Sequence, residues 1–293
     1  MHQDVVNWVR CPTCGSTAVE LNPSNTAEVE TGSIGCGSCG REYPIEHGIP
    51  FLLPPELREE VVRRAAAVSG EEFAAYETEP TPAVARVLER FARTATVVLD
   101  LGSGRAPYLP FLNGDVICLD IFPQFLRDLP RAHGERVRVH PICASATHVP
   151  IRGGAIDLVF ASELIEHLEP LEADRALDEW PRLATKWCVI DTPNGHEGTL
   201  LTRLRHLVYR TESMTAVQHE ELRELDHHST FSPEDFRAAG YECHGCIGWV
   251  SRERFRFRRL WDVYDAVAWH FPAIAGTLIA ITRGNAPPTT GAQ

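Results

Sequence analysis

Lysine is nearly missing from this chain: Lys186 is the sole lysine among 28 Lys and Arg residues. Positive charge is scarce altogether, with 28 basic against 40 acidic residues and a formal net charge of −12. That balance excludes a general nucleic-acid coat, which needs a basic face to displace counterions; a local basic groove stays open. Long apolar runs are missing too. The longest late one, Ile274 to Ile281, is far too short to span a bilayer, so no membrane span is expected. Met1 to Arg10 has no apolar core flanked by basic residues, so no secretory signal is visible and a cytoplasmic location is expected. Disorder is excluded by a 44 % hydrophobic and 23 % charged composition.

What is present divides the 293 residues into unequal parts. Residues 1–54 are turn-rich. Residues 55–95 are rich in Glu and Ala and read as a helical linker of two helices, broken at Pro80 and Pro82. From Thr96 onward short β-branched runs alternate with helical segments: TVVLDL, VICLDI, VRVHPI, IDLVFAS and WCVIDTP, with two more strands near Tyr241–Val250 and Thr277–Thr282. Such alternation predicts an α/β fold with a doubly wound, mostly parallel, seven-stranded sheet over residues 96–284. Residues 195–230 read as a helical insertion after the fifth strand, placed to form a lid. The Pro/Thr/Gly-rich tail, 285–293, reads as disordered.

Nine cysteines include two close pairs, Cys11/Cys14 and Cys36/Cys39, each followed by glycine. Without a signal peptide that spacing favours metal over disulfides. Four thiolates make a closed tetrahedral set for structural zinc, with no position left for substrate. The segment that follows, Tyr43-Pro-Ile-Glu-His-Gly-Ile-Pro-Phe-Leu-Leu-Pro54, resembles the zinc-ribbon domain of the small activator subunit that partners several methyltransferases. That resemblance covers residues 10–54 and implies a possible protein partner docking through the ribbon. Cys243 and Cys246 share the spacing, but they lie in an expected strand with no second pair nearby and read as core.

The strand ending at Leu101 runs into Asp100-Leu-Gly102-Ser103-Gly104-Arg-Ala106, and Asp120 ends the next strand. Glycines allow a tight strand-to-helix turn and close approach of a ligand to the backbone. The third glycine of a dinucleotide fingerprint is missing. With the strand pattern, this set resembles the class I S-adenosylmethionine-dependent methyltransferases, over residues 96–283. The resemblance implies a Rossmann-like sheet, with Asp100, Gly102, Ser103 and Gly104 lining the methionine end of S-adenosyl-L-methionine. It places Asp120 on the ribose, Ile121 against the adenine, Ser145 and Ala146 in the segment closing over adenine, and Ser162 at the cofactor as well. The family's usual Asp is replaced by Ser145 here.

Alkyl hydroxyls are poor nucleophiles, so methyl transfer to one needs a base or a metal at the carboxyl ends of the strands. Glu163, Glu166 and His167 follow the fourth strand, at spacings that put all three on one helical face. His227 and His228 follow the insertion, in Asp226-His-His-Ser-Thr-Phe231. His167 is the first candidate base, and His227 or His228 the second. This ExxEH element with a distant Asp-His segment resembles the metal site of the small-RNA 3′-terminal 2′-O-methyltransferases. That resemblance would make Glu163, Glu166, His167 and His227 ligands of Mg²⁺ or Mn²⁺. The expected reaction is O-methylation of a hydroxyl on a small molecule, secondary metabolite or glycan precursor. Metal-assisted RNA 2′-O-methylation and a non-catalytic, cofactor-binding partner protein are the alternatives. Asn194 offers a polar group to the acceptor, and Arg254, Arg256 and Arg258 alternate with Phe255 and Phe257 in a cationic strip read mainly as solvated surface.

Overall fold

The computed structural model of the chain describes residues 1–23, 28–67, 80–195, 227–247 and 261–285. The N-terminal part is a small antiparallel sheet in the order β1 (Val19–Asn22), β2 (Gly32–Cys36), β3 (Glu42–Glu46) and β4 (Ile49–Pro50). Two helices follow, α1 (Pro55–Ala67) and α2 (Pro82–Ala92). Pro82 starts α2, where a missing N–H costs nothing, and Val84, Leu88 and Phe91 form its buried stripe.

The larger sheet is built from β5 (Val97–Leu101), β6 (Gly114–Asp120), β7 (Ala132–His133), β8 (Val137–Cys143), β9 (Ile156–Ser162), β10 (Ala184–Pro193), β11 (Glu242–Cys246) and β12 (Thr277–Arg283). Its order is β11-β12-β10-β9-β5-β6-β8-β7. Strands β10, β9, β5, β6 and β8 are parallel, and β12 pairs antiparallel with both β10 and β11. The seven expected strands are present. The eighth, β7, is a two-residue antiparallel edge that the sequence pattern did not signal. Helices α3 (Pro123–Arg127), α4 (Pro170–Leu183), α5 (Pro233–Ala238) and α6 (Trp261–His270) complete the described elements. Asp235 and Ser232 close a reciprocal cap that starts α5. No described helix is long and apolar enough to cross a membrane. Strand order reverses between β5 and β9, and in open α/β sheets ligands bind outside the carboxyl ends at such a point.

Two boundaries differ from expectation. Strand β10 starts at Ala184, because a bulge between Ala184 and Trp187 lets it keep pairing with β9. Strand β11 is confined to Glu242–Cys246, where it pairs with β12. Residues 196–226 of the insertion, the Arg254–Arg258 strip, and the tail from 286 lie outside the described residues.

The cysteine-bearing part is locked to the larger sheet at both ends of the segment that follows β8. At one end Leu52 N–H donates to Cys143 O at 2.9 Å. At the other, Arg10 N–H donates to Pro150 O and Arg152 N–H to Trp8 O. The Arg152 guanidinium donates to the carbonyls of Val9, Val6 and Thr17 at 2.7, 2.8 and 2.8 Å. Val5, Val9, Leu52, Ile142, Val149 and Ile151 share one buried cluster. Trp8 packs edge-on against the buried His140 ring, which is held by Asp115 at 2.8 Å. Replacing Arg152 with Ala leaves three carbonyls without their charged donor and should destabilise the protein by about 2 kcal/mol. Thermal unfolding checks this; an unchanged midpoint would show that the clamp carries no weight.

Candidate active site

The turn after β5 is shaped by its glycines. Gly102 has φ +63° and Gly104 φ +51°, the left-handed region that side chains disfavour. Gly102 and Ser103 N–H both donate to Leu119 O, fastening the turn to the end of β6. At that end Asp120 accepts Gly104 N–H on Oδ2 and Phe122 N–H on Oδ1, each at 2.8 Å. Burial pushes Asp120 up to about 6, against the N–H groups of Phe122, Gly104 and Ile121 that favour its charge. Asp100, beneath the turn, is buried with Oδ2 lacking a partner among the described residues. Burial, then the Asp120 charge, pushes it up to about 8.

Past β8, Ala144 N–H donates to Asp120 O, which brings the next residues beside the turn. Ser145 Oγ lies 2.8 Å from Thr147 Oγ1, and Trp180 Nε1 donates to Ala146 O at 3.0 Å. Ile121 is half-buried, and its carbonyl faces the Cys143 thiol at 3.6 Å.

On the other side of the reversal, β9 ends at Ser162, whose hydroxyl donates to Asp191 Oδ2 of β10 at 3.1 Å. Glu163 follows with φ +47°, a strained conformation for a side-chain-bearing residue, and its N–H donates to Asp191 O. The expected α-helix over Glu163–His167 does not form. Its place is taken by a 3-10 turn over Ile165–His167, because the bend at Glu163 leaves too few residues before Pro170 starts α4. Glu166 and His167 converge nonetheless, by the bend and not by helical spacing, and Glu163 lies against Glu166 outside that group of ligand atoms.

Glu166 is buried and accepts Thr192 Oγ1 on Oε2 at 2.9 Å, while its Oε1 has no partner among the described residues. Its carbonyl accepts the N–H groups of His228 and Ser229, which fastens the end of the insertion here. The ligating atoms of Glu166, His167 and His227 lie within 4.8 Å of one another. The two imidazoles meet edge-on with centroids 4.7 Å apart. Burial, then the charges of His167 and His228, pushes His227 down to about 4, leaving a neutral ring at pH 7. Burial pushes Glu163 up to about 7 and, with the Glu163 charge, lifts Glu166 far above the ordinary carboxylate range. His228 is turned away: its exposed ring lies 3.6 Å from Glu169. Asn194 is also spoken for, because its Nδ2 donates to the carbonyls of Pro272 and Ala275 and binds the end of β10 to the approach to β12.

In the N-terminal part the sulfurs of Cys11, Cys14, Cys36 and Cys39 lie within 4.8 Å of one another. Cys11–Cys39 and Cys14–Cys36 are separated by 3.7 and 3.6 Å, close to the roughly 3.8 Å edge of a tetrahedron with metal–sulfur bonds of about 2.3 Å. Each pair closes a knuckle, with Gly15 N–H donating to Cys11 O and Gly40 N–H to Cys36 O. Burial alone would push the Cys11 thiol up, but hydrogen bonds from the Tyr43 hydroxyl and the N–H groups of Cys14 and Thr13 pull it down to about 6. Cys243 and Cys246 are buried in β11 and join no metal-capable group among the described residues.

A protein-family model described as "Methyltransferase domain" matches residues 99–186, the run from the glycine turn into β10. This part of the chain is an S-adenosylmethionine-dependent methyltransferase domain. No curated protein matches the chain. Among solved structures, Haemonchus contortus phosphoethanolamine N-methyltransferase 2 in complex with S-adenosyl-L-methionine is 16 % identical with a TM-score of 0.51, covering 84 % of this chain and 62 % of that one. The small RNA methyltransferase HEN1 is 19 % identical with a TM-score of 0.46 over 71 % of this chain, which spans only 25 % of that protein's length. The complex between the Haloferax volcanii Trm112 methyltransferase activator and a methyltransferase is 15 % identical with a TM-score of 0.46, covering 81 % of this chain and 100 % of that one. At these identities the likeness is one of fold.

Within the methyltransferase domain, sequence reasoning missed Asp191, Thr192 and Tyr108. Tyr108 is buried against Phe160, and its hydroxyl accepts Thr81 N–H at the start of α2. Asp191 carried a readable signal: like Asp100 and Asp120, it is acidic and close to the carboxyl end of a strand. Because Asp100 is raised from 3.8 to about 8 on folding, the folded state holds a proton that the unfolded state releases between those values. Stability of the ligand-free protein should therefore fall as pH rises from about 4 through about 8. Melting curves across that range test it; Asp100→Asn should flatten the dependence, and a parallel curve for the variant would assign it to another group.

Proposed function

We propose that this chain transfers the methyl group of S-adenosyl-L-methionine to a hydroxyl activated at Glu163, Glu166, His167 and His227. The observation that carries the reading is the convergence of His227, from beyond the insertion, on Glu166 and His167. The ligand atoms that meet, one carboxylate and two imidazoles with a buried Glu166 oxygen unpartnered among the described residues, suit a divalent cation such as Mg²⁺ or Mn²⁺, and Glu163 adds a second carboxyl beside Glu166. When bound there, the cation would lower the pKa of an acceptor hydroxyl. The acceptor is a polyol, a small molecule or glycan precursor, with a ribose terminus of RNA as the second reading, favoured by the same four residues. The charge of −12 weighs towards the first.

The cofactor, when bound, supplies the electrophilic methyl group. Asp100, Gly102, Ser103, Gly104 and Ser162 would hold its methionine end, and Asp120, Ile121, Ser145 and Ala146 its adenosine. Asp120 would exchange at least one of its backbone hydrogen bonds for a ribose hydroxyl. With the cation bound, the acidified hydroxyl would lose its proton to solvent as oxygen attacks in line; without it, His167 or His227 would accept that proton. Cys11, Cys14, Cys36 and Cys39 would hold a structural zinc ion. The ribbon's contact with residues 143–152 is made within the chain, which supports an internal role over capture of a separate protein.

Methyl-labelled cofactor, supplied with RNA, protein and small-molecule fractions of the source organism, separates the acceptors. Label in small molecules that vanishes with chelator and returns with Mn²⁺ is the expected result; chelator-sensitive label in RNA would instead select the second reading. His227→Ala should slow transfer by about 10²-fold or more while cofactor affinity stays unchanged. Undiminished turnover would sink the assignment.

A further inference from the structure

Among the buried polar groups of the domain, Asp191 is left without a task by the scheme above. It is 1 % exposed, its Oδ2 takes the Ser162 hydroxyl, and its Oδ1 is buried with no partner among the described residues. Asp100 Oδ2 is in the same state. The Glu163 and Asp100 carboxyls lie close enough to Asp191 for their charges to act on it. Among the described residues no Lys, Arg or His is paired with Asp100 or Asp191. Buried carboxylates are costly unless something of opposite charge meets them.

Position says where that charge comes from. The adenosine side lies at the ends of β6 and β8, at Asp120 and Ser145, and the acceptor cluster lies beyond β9, at Glu166, His167 and His227. The transferring methyl would sit between them, beside Ser162 at the end of β9, and Asp191 reaches that point from β10 through its pairing and hydrogen bond with Ser162.

We infer that Asp191 recognises the positive sulfonium of the methyl donor, forming with Asp100 a two-carboxylate cradle that selects the charged donor over the neutral thioether left after transfer. The inference rests on S-adenosyl-L-methionine being the donor. In the reaction the S–CH₃ bond breaks with its electron pair remaining on sulfur, the O–CH₃ bond forms, and the hydroxyl proton passes to solvent. Sulfur is then neutral and Asp191 is again uncompensated, so the spent cofactor is held less tightly than the fresh one.

Calorimetric titration of the full chain with three ligands tests this: S-adenosyl-L-methionine, S-adenosylhomocysteine, and an analogue with a protonated amine in place of the sulfonium. Both cations should bind the wild type about tenfold or more tighter than the thioether. Asp191→Asn should collapse that preference to about threefold or less while thioether affinity stays within about twofold. Equal loss for all three ligands would make Asp191 merely structural and overturn the inference, as would an unchanged preference. Should the variant fail to fold, the wild-type series decides: a thioether bound as tightly as the donor overturns it. Failure of the wild type to bind any of the three would instead overturn the donor reading itself.

Discussion

The burial of several carboxyl groups at the carboxyl ends of a parallel sheet is the constraint on which the rest of the site depends. Asp120, Asp100, Asp191, Glu163 and Glu166 end or follow adjacent strands and are held away from water. Hydrogen bonds relieve only part of the cost: Asp120 is met by two backbone N–H groups, Asp191 by Ser162, and Glu166 by Thr192. The fold tolerates the remainder because the sheet beneath is apolar on both faces, with Val98, Leu99, Leu101, Val159, Phe160 and Val189 fully or nearly fully buried. A rigid, dry floor keeps the carboxylates where they are and keeps their demand for cations unmet by protein. Cationic ligands, the proposed sulfonium or divalent metal, would answer that demand.

Integration of the cysteine-bearing part follows from the same need for rigidity. It grips the chain at Cys143 and again at Pro150–Arg152, so the span that includes Ser145 and Ala146 is tethered at both ends. Its knuckles, in turn, are drawn together by tight glycine turns and by Tyr43, whose hydroxyl reaches both Cys11 and Thr13. Four sulfurs at tetrahedral spacing would thus stabilise, through the Arg152 clamp, a wall of the cofactor side.

Much of this was legible in advance. Strands announced themselves as apolar β-branched runs because they are buried on both faces, and the glycine turn and the cysteine pairs are short-range patterns. The two-residue β7 edge was not readable, since so short a pairing leaves no periodicity. Helical spacing put Glu163, Glu166 and His167 on one face, whereas a bend at Glu163 and a 3-10 turn bring Glu166 and His167 together with His227. Asn194 looked free for an acceptor, but its amide is consumed by the carbonyls of Pro272 and Ala275, a demand set by distant chain.

The sequence by itself determined the strands of the sheet and the cysteine pairs, because burial periodicity and metal-ligand spacing are local properties of a chain. Only the tertiary structure decided which of His227 and His228 faces the cluster, that Asp191 is buried against Ser162, and that Arg152 ties the two parts together. Each of those depends on which residues, far apart in sequence, exclude water from one another, and that is settled only when the chain closes on itself.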